Sequence, residues 1–157
     1  MNDAALMEQE LRLPVRVYIE DTDAGGIVFY VNYLKYFERA RTEFMRRLGF
    51  AKAALLGGEF MFVVHSMDVQ YLRPAQLDDE LAAGARVVEA RGARLVFAQR
   101  VLRGAEEICR ARVTVACVNS ATHRPCMIPP RLREALVAAG ALAQPPDTRQ
   151  QSMEIPA

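Results

Sequence analysis

The sequence has little of what several common chemistries require. Its three cysteines, Cys109, Cys117 and Cys126, are odd in number and lack Cys-x-x-Cys spacing, so neither a disulfide framework nor a zinc site is indicated. There are two histidines, His65 and His123. Neither completes a Ser-His-Asp set, and no Gly-x-Ser-x-Gly nucleophile elbow occurs, which sets serine-hydrolase chemistry aside. Basic and acidic residues nearly cancel, 20 against 19, leaving a net charge of +1. That balance supplies no basic field for nucleic acid, and the aromatic residues are not interleaved with basic ones. No apolar run is long enough to cross a bilayer. The first twelve residues carry Asp3, Glu8, Glu10 and Arg12 in place of an apolar leader core, so a cytoplasmic protein is expected. Glycine-rich phosphate loops are missing, and neither a nucleotide, a metal nor a redox cofactor is expected.

What is present reads as one domain with a sizeable core. The chain has 157 residues, 52 % of them apolar, which suits a single globular unit. Residues 1–12 read as a polar extension, 13–140 as the domain, and 141–157 as a disordered tail rich in Pro, Gln, Asp and Ser. Val15 to Glu20 reads as a first strand, with Pro14 at its mouth. Asn32 resembles a helix N-cap. From there Tyr33, Phe37, Ala40, Phe44 and Leu48 recur at spacings of three and four and define one apolar face of a long helix, which Gly49 closes. Arg39–Glu43 and Glu43–Arg47 are spaced for pairing along its outer side. Residues 51–56 read as a short helical turn. Four extended segments follow, at about Phe60–Leu72, Leu81–Glu89, Arg94–Leu102 and Glu107–Val118, divided by turn residues. Short connections favour an antiparallel meander. A last short helix is expected over 130–139, opened by Pro129-Pro130. The plan is α+β: one antiparallel five-stranded sheet wrapped around a long central helix. Its outer face needs cover, and self-association supplies it.

The chemistry concentrates at Glu20, Asp21 and Asp23, followed at once by Gly25-Gly26 and the helix entry. A carboxylate at a strand end beside backbone N–H groups at a helix start suits attack on an activated carbonyl by a carboxylate-assisted water. Asp23 is the residue best placed for it; the structural alternative is an Asx-turn capping its own backbone. Asp21 and Glu20 read as turn or solvent residues. Gly25 and Gly26 serve either a tight turn or close approach of a ligand. Glu38 either orients a substrate or water, or is an exposed partner for its helix neighbours. His65 shares a strand parity with Met61, Val63 and Met67 and reads as structural, and His123 as an exposed turn residue. Cys109 and Cys117 share a parity with Ala111, Val113 and Val115 and read as small buried hydrophobes.

The run Val17-Tyr18-Ile19-Glu20-Asp21-Thr22-Asp23-Ala24-Gly25-Gly26-Ile27-Val28-Phe29-Tyr30, continued by Asn32-Tyr33 and Tyr36-Phe37-Glu38-Arg39-Ala40-Arg41-Thr42-Glu43, resembles the signature of the hotdog-fold acyl-CoA thioesterases. It is most similar to the branch encoded with the Tol–Pal envelope system, relatives of the 4-hydroxybenzoyl-CoA thioesterases. Tyr71-Leu72-Arg73-Pro74-Ala75, Asp78-Asp79 and Leu95-Val96-Phe97-Ala98-Gln99-Arg100 share the likeness, which runs from about Pro14 to Ala139. The resemblance implies a hotdog domain that hydrolyses an acyl-CoA thioester, or acyl groups on acyl carrier protein, without a cofactor. It implies Asp23 as base or nucleophile, with the Tyr30 backbone N–H polarising the thioester carbonyl. Several members of the branch carry His where this chain has Tyr30, so an imidazole role is absent here while a backbone role survives. It also implies a homodimer or homotetramer with the active site between subunits. A CoA handle needs cationic partners, for which Arg91, Arg94, Arg124 and Arg131 are candidates because guanidinium groups grip phosphate bidentately. The alternative is a non-catalytic acyl-CoA-binding or scaffold module of the same fold.

Overall fold

A computed structural model of the chain describes residues 10–50 and 58–142. Five strands, β1 (Leu11–Arg16), β2 (Phe60–Tyr71), β3 (Glu80–Arg91), β4 (Arg94–Arg103) and β5 (Glu106–Asn119), form one sheet in the order β1-β3-β4-β5-β2, antiparallel throughout. Helix α1 (Tyr30–Arg47) lies across its inner face, and the short helix α2 (Pro130–Ala138) follows the last strand. The β3–β4 and β4–β5 hairpins are tight because Gly92 and Gly104 adopt φ of +61° and +60°, which a side chain disfavours. This is the hotdog arrangement that the resemblance implies.

The core explains why α1 sits there. Tyr33, Tyr36, Phe37, Ala40, Phe44 and Met45 of the helix are buried against inward residues of the strands such as Leu95, Phe97, Val101, Val113 and Val115. Phe44 meets Phe97 edge to face at 5.5 Å, an arrangement that adds to simple area burial. Gln99 shares the inward parity of β4 and is buried, yet fully engaged. Its Nε2 donates to the Phe37 carbonyl at 2.9 Å, and its Oε1 accepts from Arg41 at 2.8 Å. The outer face of the sheet is charged. Gly84 on β3 leaves room there for the buried Glu10 carboxylate, which accepts from Arg12 and Arg100.

Several sequence expectations shift. β1 starts at Leu11 and stops at Arg16, not Val15 to Glu20. Beyond it Val17 pairs with Asp78 and Asp79, and Ile19–Asp21 coils into a 3-10 turn because the Asp21 carboxylate accepts from the Tyr18 N–H at 2.9 Å. α1 starts at Tyr30, with Phe29 as its cap residue, so Asn32 is not the cap but lies buried in the first turn. Glu43 pairs with Arg46, not with Arg39 or Arg47. His65 is exposed at a β-bulge, where pairing with β5 slips between Val64 and Ser66. The extra residue reverses the parity of β2. Phe62 and Val64 before it therefore share a face with Met67 and Val69 after it, which undoes the common face expected for Met61, Val63, His65 and Met67. The turn expected over 51–56 lies outside the described residues, as do most of the extension read over 1–12 and of the tail read over 141–157. Of the rest, Leu11 and Arg12 belong to β1, Glu10 is buried, and Ala141 and Leu142 pack against the core.

Candidate active site

The segment between the 3-10 turn and α1 is a small hairpin. Thr22 bridges Val28, the Asp23 N–H donates to the Ile27 carbonyl at 2.9 Å, and the Gly26 N–H returns to the Asp23 carbonyl at 3.1 Å. Gly26 takes φ of +79°. A turn closed by a left-handed glycine is a standard three-residue hairpin loop, and Asp is favoured at its first position. The side chain of Asp23 takes part: Oδ1 accepts from the Gly25 N–H at 2.8 Å. The Asx-turn that the sequence allowed is therefore present. Its second oxygen has no hydrogen-bond partner among the described residues, and the residue is exposed.

Three connections seat this hairpin on the body. The Asp21 carbonyl accepts twice, from the Phe29 N–H at 2.8 Å and from Asn32 Nδ2 at 2.7 Å. Asn32 thus ties the turn to the helix it precedes. The Val28 N–H donates to the Ala75 carbonyl at 2.8 Å, and the Ala75 N–H donates to the Tyr33 hydroxyl at 3.0 Å. Finally the Tyr71 hydroxyl, at the end of β2, donates to the Tyr30 carbonyl at 3.2 Å. Asp21 is a turn residue, one of the two readings the sequence allowed, but it is buried and does not face solvent. Below it the Tyr36 hydroxyl, in a residue 1 % exposed, has no partner in hydrogen-bonding geometry. Burial first, and the nearby Asp21 carboxylate second, raise the Tyr36 phenol pKa. Asn32 carried a readable signal: it is a polar residue four positions before Tyr36 on the helix's inward stripe.

Tyr30 is the first residue of α1, and its N–H meets no acceptor among the described residues. The first N–H groups of a helix lack intrahelical partners and carry the positive end of its dipole. Exposed apolar residues lie beside Tyr30: Ile27 and Phe29 in the same segment, and Tyr71, whose ring meets the Tyr30 ring edge-on at 6.2 Å. The element thus carries a carboxylate oxygen chemically able to accept a proton and an N–H chemically able to donate to an anion.

Glu38 lies further along α1, on its exposed side. It borders a cleft of about 120 Å³ shared with Arg41, Thr42, Met45, Phe62, Val64 and Leu95 among others, apolar over much of its wall. The candidate arginines are elsewhere. Arg91 and Arg94 flank the β3–β4 turn, whose Gly92 carbonyl accepts from the Ile128 N–H at 2.9 Å; Arg124 lies in the turn after β5. Arg131, in the first turn of α2, stands over the Phe50 ring at 5.8 Å. None of the four has a carboxylate partner among the described residues. The Asp23 hairpin is anchored at the Glu80 end of β3, whereas Arg91 closes the other end of that twelve-residue strand. At about 3.3 Å per residue that is roughly 35 Å. One chain does not unite them. Among the described residues no three His, Cys, Asp or Glu side chains gather as metal ligands.

The chain belongs to the thioesterase-like superfamily, whose family model matches residues 17–136. Within it the chain is similar to the acyl-CoA thioesterase YbgC of Haemophilus influenzae, 40 % identical over 131 residues that cover 83 % of this chain and 96 % of that one. It is 43 % identical over 119 residues to the acyl-CoA thioester hydrolase YbgC of Escherichia coli O157:H7, covering 75 % and 89 %. Among solved structures, a thioesterase of Thermus thermophilus complexed with coenzyme A and Zn superposes with a TM-score of 0.74 at 27 % identity, covering 85 % of this chain and 96 % of that one.

Proposed function

We propose that this protein hydrolyses acyl-CoA thioesters at a site completed by a second copy of the chain. Asp23 is the general base: its free oxygen takes a proton from a water whose oxygen attacks the thioester carbonyl carbon. The Tyr30 N–H holds the oxygen that becomes negative, the C–S bond breaks, and CoA leaves as a thiolate that is then protonated. The single observation that carries this reading is the pairing of the half-free Asp23 carboxylate with the unpartnered Tyr30 N–H on one hairpin-to-helix element. The names of the curated relatives support the substrate class. Direct attack by Asp23 on the carbonyl, through a mixed anhydride, uses the same two groups. Glu38, beside the apolar cleft, orients the acyl group or a water, and Gly25-Gly26 leave the approach unobstructed.

The edges of the sheet favour a second copy. β2 is an outer strand of twelve residues with Val63, Val64 and Tyr71 exposed. A long open edge invites strand addition. Two copies of β2 related by a two-fold axis run antiparallel, so the Tyr71 end of one lies beside the Phe60 end of the other. Phe60 pairs with Asn119, next to the turn that holds Arg124. The arginine end of the second copy would then stand by Asp23, with Arg91, Arg94, Arg124 and Arg131 available to the phosphates of CoA. A homodimer is the minimal unit and a homotetramer, a dimer of dimers, covers more of the charged outer face. Acyl carrier protein is a second thiol carrier the same site could accept, and a cytoplasmic role beside the Tol–Pal system accords with the branch it resembles.

Asp23→Asn tests the chemistry. Asn keeps an oxygen for the Gly25 N–H, so the turn persists while the base is lost. Turnover of acyl-CoA should fall about 10²–10⁴-fold with binding of a non-hydrolysable CoA analogue retained. Glu20→Gln, at an exposed position of the same segment, should leave turnover unchanged. Near-wild-type turnover in Asp23→Asn would remove Asp23 as the base, whereas a wild-type protein that binds the analogue without turning over acyl-CoA would make a non-catalytic acyl-CoA-binding or scaffold module the better reading.

A further inference from the structure

Away from the thioester site, the end of β5 folds back on itself. Val118 bridges Pro125, the Asn119 N–H donates to the Arg124 carbonyl at 2.8 Å, and the Cys126 N–H donates to the Cys117 carbonyl at 2.9 Å. The next cross-strand pair is therefore Cys117 opposite Cys126, and their sulfurs are 3.4 Å apart. Only one of the two possible bonds joins this pair, because the Cys117 N–H donates to the Ala93 carbonyl at 2.7 Å. Residues directly opposite in an antiparallel pair have Cα atoms about 4.5–5.5 Å apart, inside the roughly 4.4–6.8 Å window that a disulfide spans without moving the backbone. The third cysteine, Cys109, is buried eight residues back along β5 opposite Tyr71.

We propose that Cys117 and Cys126 form an oxidation site, at which a peroxide converts the two thiols into a reversible intramolecular disulfide. The two sulfurs take different parts. Cys117 is fully buried, whereas Cys126 is only half-buried and reaches solvent. Burial, with the contact to Cys126 second, pushes the Cys117 thiol up to about 12, so it stays protonated. Cys126 therefore meets the oxidant. Its thiolate attacks one peroxide oxygen, the O–O bond breaks, and a sulfenic acid forms on Cys126 as hydroxide leaves. Cys117 then attacks the Cys126 sulfur, the S–S bond forms and the S–O bond breaks. The second hydroxide takes the Cys117 proton and departs as water. Two thiols lose two electrons and one peroxide is reduced to two waters. The bond staples the Ser120–Pro125 turn, with Arg124 in it, to the last residues of β5.

The sequence makes the product easy to read. Arg124 is followed by Pro125, so trypsin leaves both cysteines in the single peptide Val113–Arg131. The full-length reduced protein, treated with stoichiometric hydrogen peroxide, should yield that peptide lighter by about 2 Da, restored by dithiothreitol. In Cys117→Ser the resolving thiol is gone, and Cys126 should instead gain oxygen, about 32 Da as the sulfinic acid. A wild-type peptide that stays at its reduced mass, or that gains oxygen on Cys126 without losing the two hydrogens, overturns the proposal. So does a product about 2 Da lighter that survives dithiothreitol.

Discussion

If Asp23 and the CoA-holding arginines act together only across two copies, two inactive variants should repair each other. One chain carries Asp23→Asn; the other carries Arg91→Ala, Arg94→Ala and Arg124→Ala together. Each homodimer lacks one component at both of its sites. In a mixed dimer one site combines both defects, but the other draws an intact Asp23 from one chain and intact arginines from its mate. Equal co-expression makes half of the dimers mixed and leaves half of their sites whole, so activity should return to about a quarter of wild type. What makes the expectation sharp is that the Asp23 hairpin is anchored at the Glu80 end of β3 and Arg91 lies at the other end of that twelve-residue strand, a length of roughly 35 Å. A site built within one chain carries a defect in every copy and recovers nothing. The assay is acyl-CoA hydrolysis at subsaturating substrate, where loss of the phosphate grip is felt most. A co-expressed sample no more active than its parents would refute the shared site, and an arginine triple variant with unchanged KM would remove those residues from CoA binding.

Two further outcomes concern the charged outer face. In Gly84→Ala the new methyl would lie 2.7 Å from Glu10 Oε2 and 2.8 Å from its carboxyl carbon, so the carboxylate must leave its hydrogen bonds with Arg100 and Arg12. Charge-assisted bonds contribute about 1.5–3 kcal/mol each when well ordered. With both arginines partly in water, the total loss should be about 2–3 kcal/mol by urea unfolding, and an unchanged midpoint would show that Glu10 is not held there. Acid should act on the same group. Burial alone would raise the Glu10 pKa, but hydrogen bonds from Arg100 and Arg12 outweigh it and hold the pKa below its ordinary 4.5. A depressed folded-state pKa gives stability that is complete above the unfolded value and lost as pH falls through the folded one. Glu10→Gln should therefore flatten the stability loss below about pH 4.5, measured as thermal midpoint against pH, and an identical profile in both proteins would contradict the assignment.

Much of the architecture was legible because punctuation and periodicity agreed. Gly92 and Gly104 mark both hairpins, and the stripe Tyr33, Phe37, Ala40, Phe44 names the buried side of α1. Strand boundaries from β2 to β5 fall within two residues of those expected. What failed depended on partners distant in sequence. β1 ends early because Val17 is taken by Asp78 and Asp79, and Asn32 abandons the cap because the Asp21 carbonyl lies in reach. The bulge at His65 has no composition of its own, so parity counted straight through it was wrong for half of β2. At the candidate site, Asp23 could be singled out from its residues, but Tyr30 only from the family resemblance, because the residues themselves place the helix start at Asn32. The arginines could be nominated only by chemistry, since nothing local reports which end of a strand they occupy. Cys117 and Cys126 are nine residues apart, a spacing that means nothing until the turn between them sets their register.

The two margins of the sheet are unequal, and this bears on how far association can run. β1 offers only six residues and carries Pro14, which has no N–H to give a neighbour. β2 offers twelve without a proline. A sheet sticky on both sides could add copies end to end and grow into a fibre. If copies pair through β2 as proposed, then with one margin blunted each molecule has a single valence for strand pairing, and joining two like margins consumes both. Growth by this route stops at a pair, and any larger assembly must be built face to face, through side chains alone.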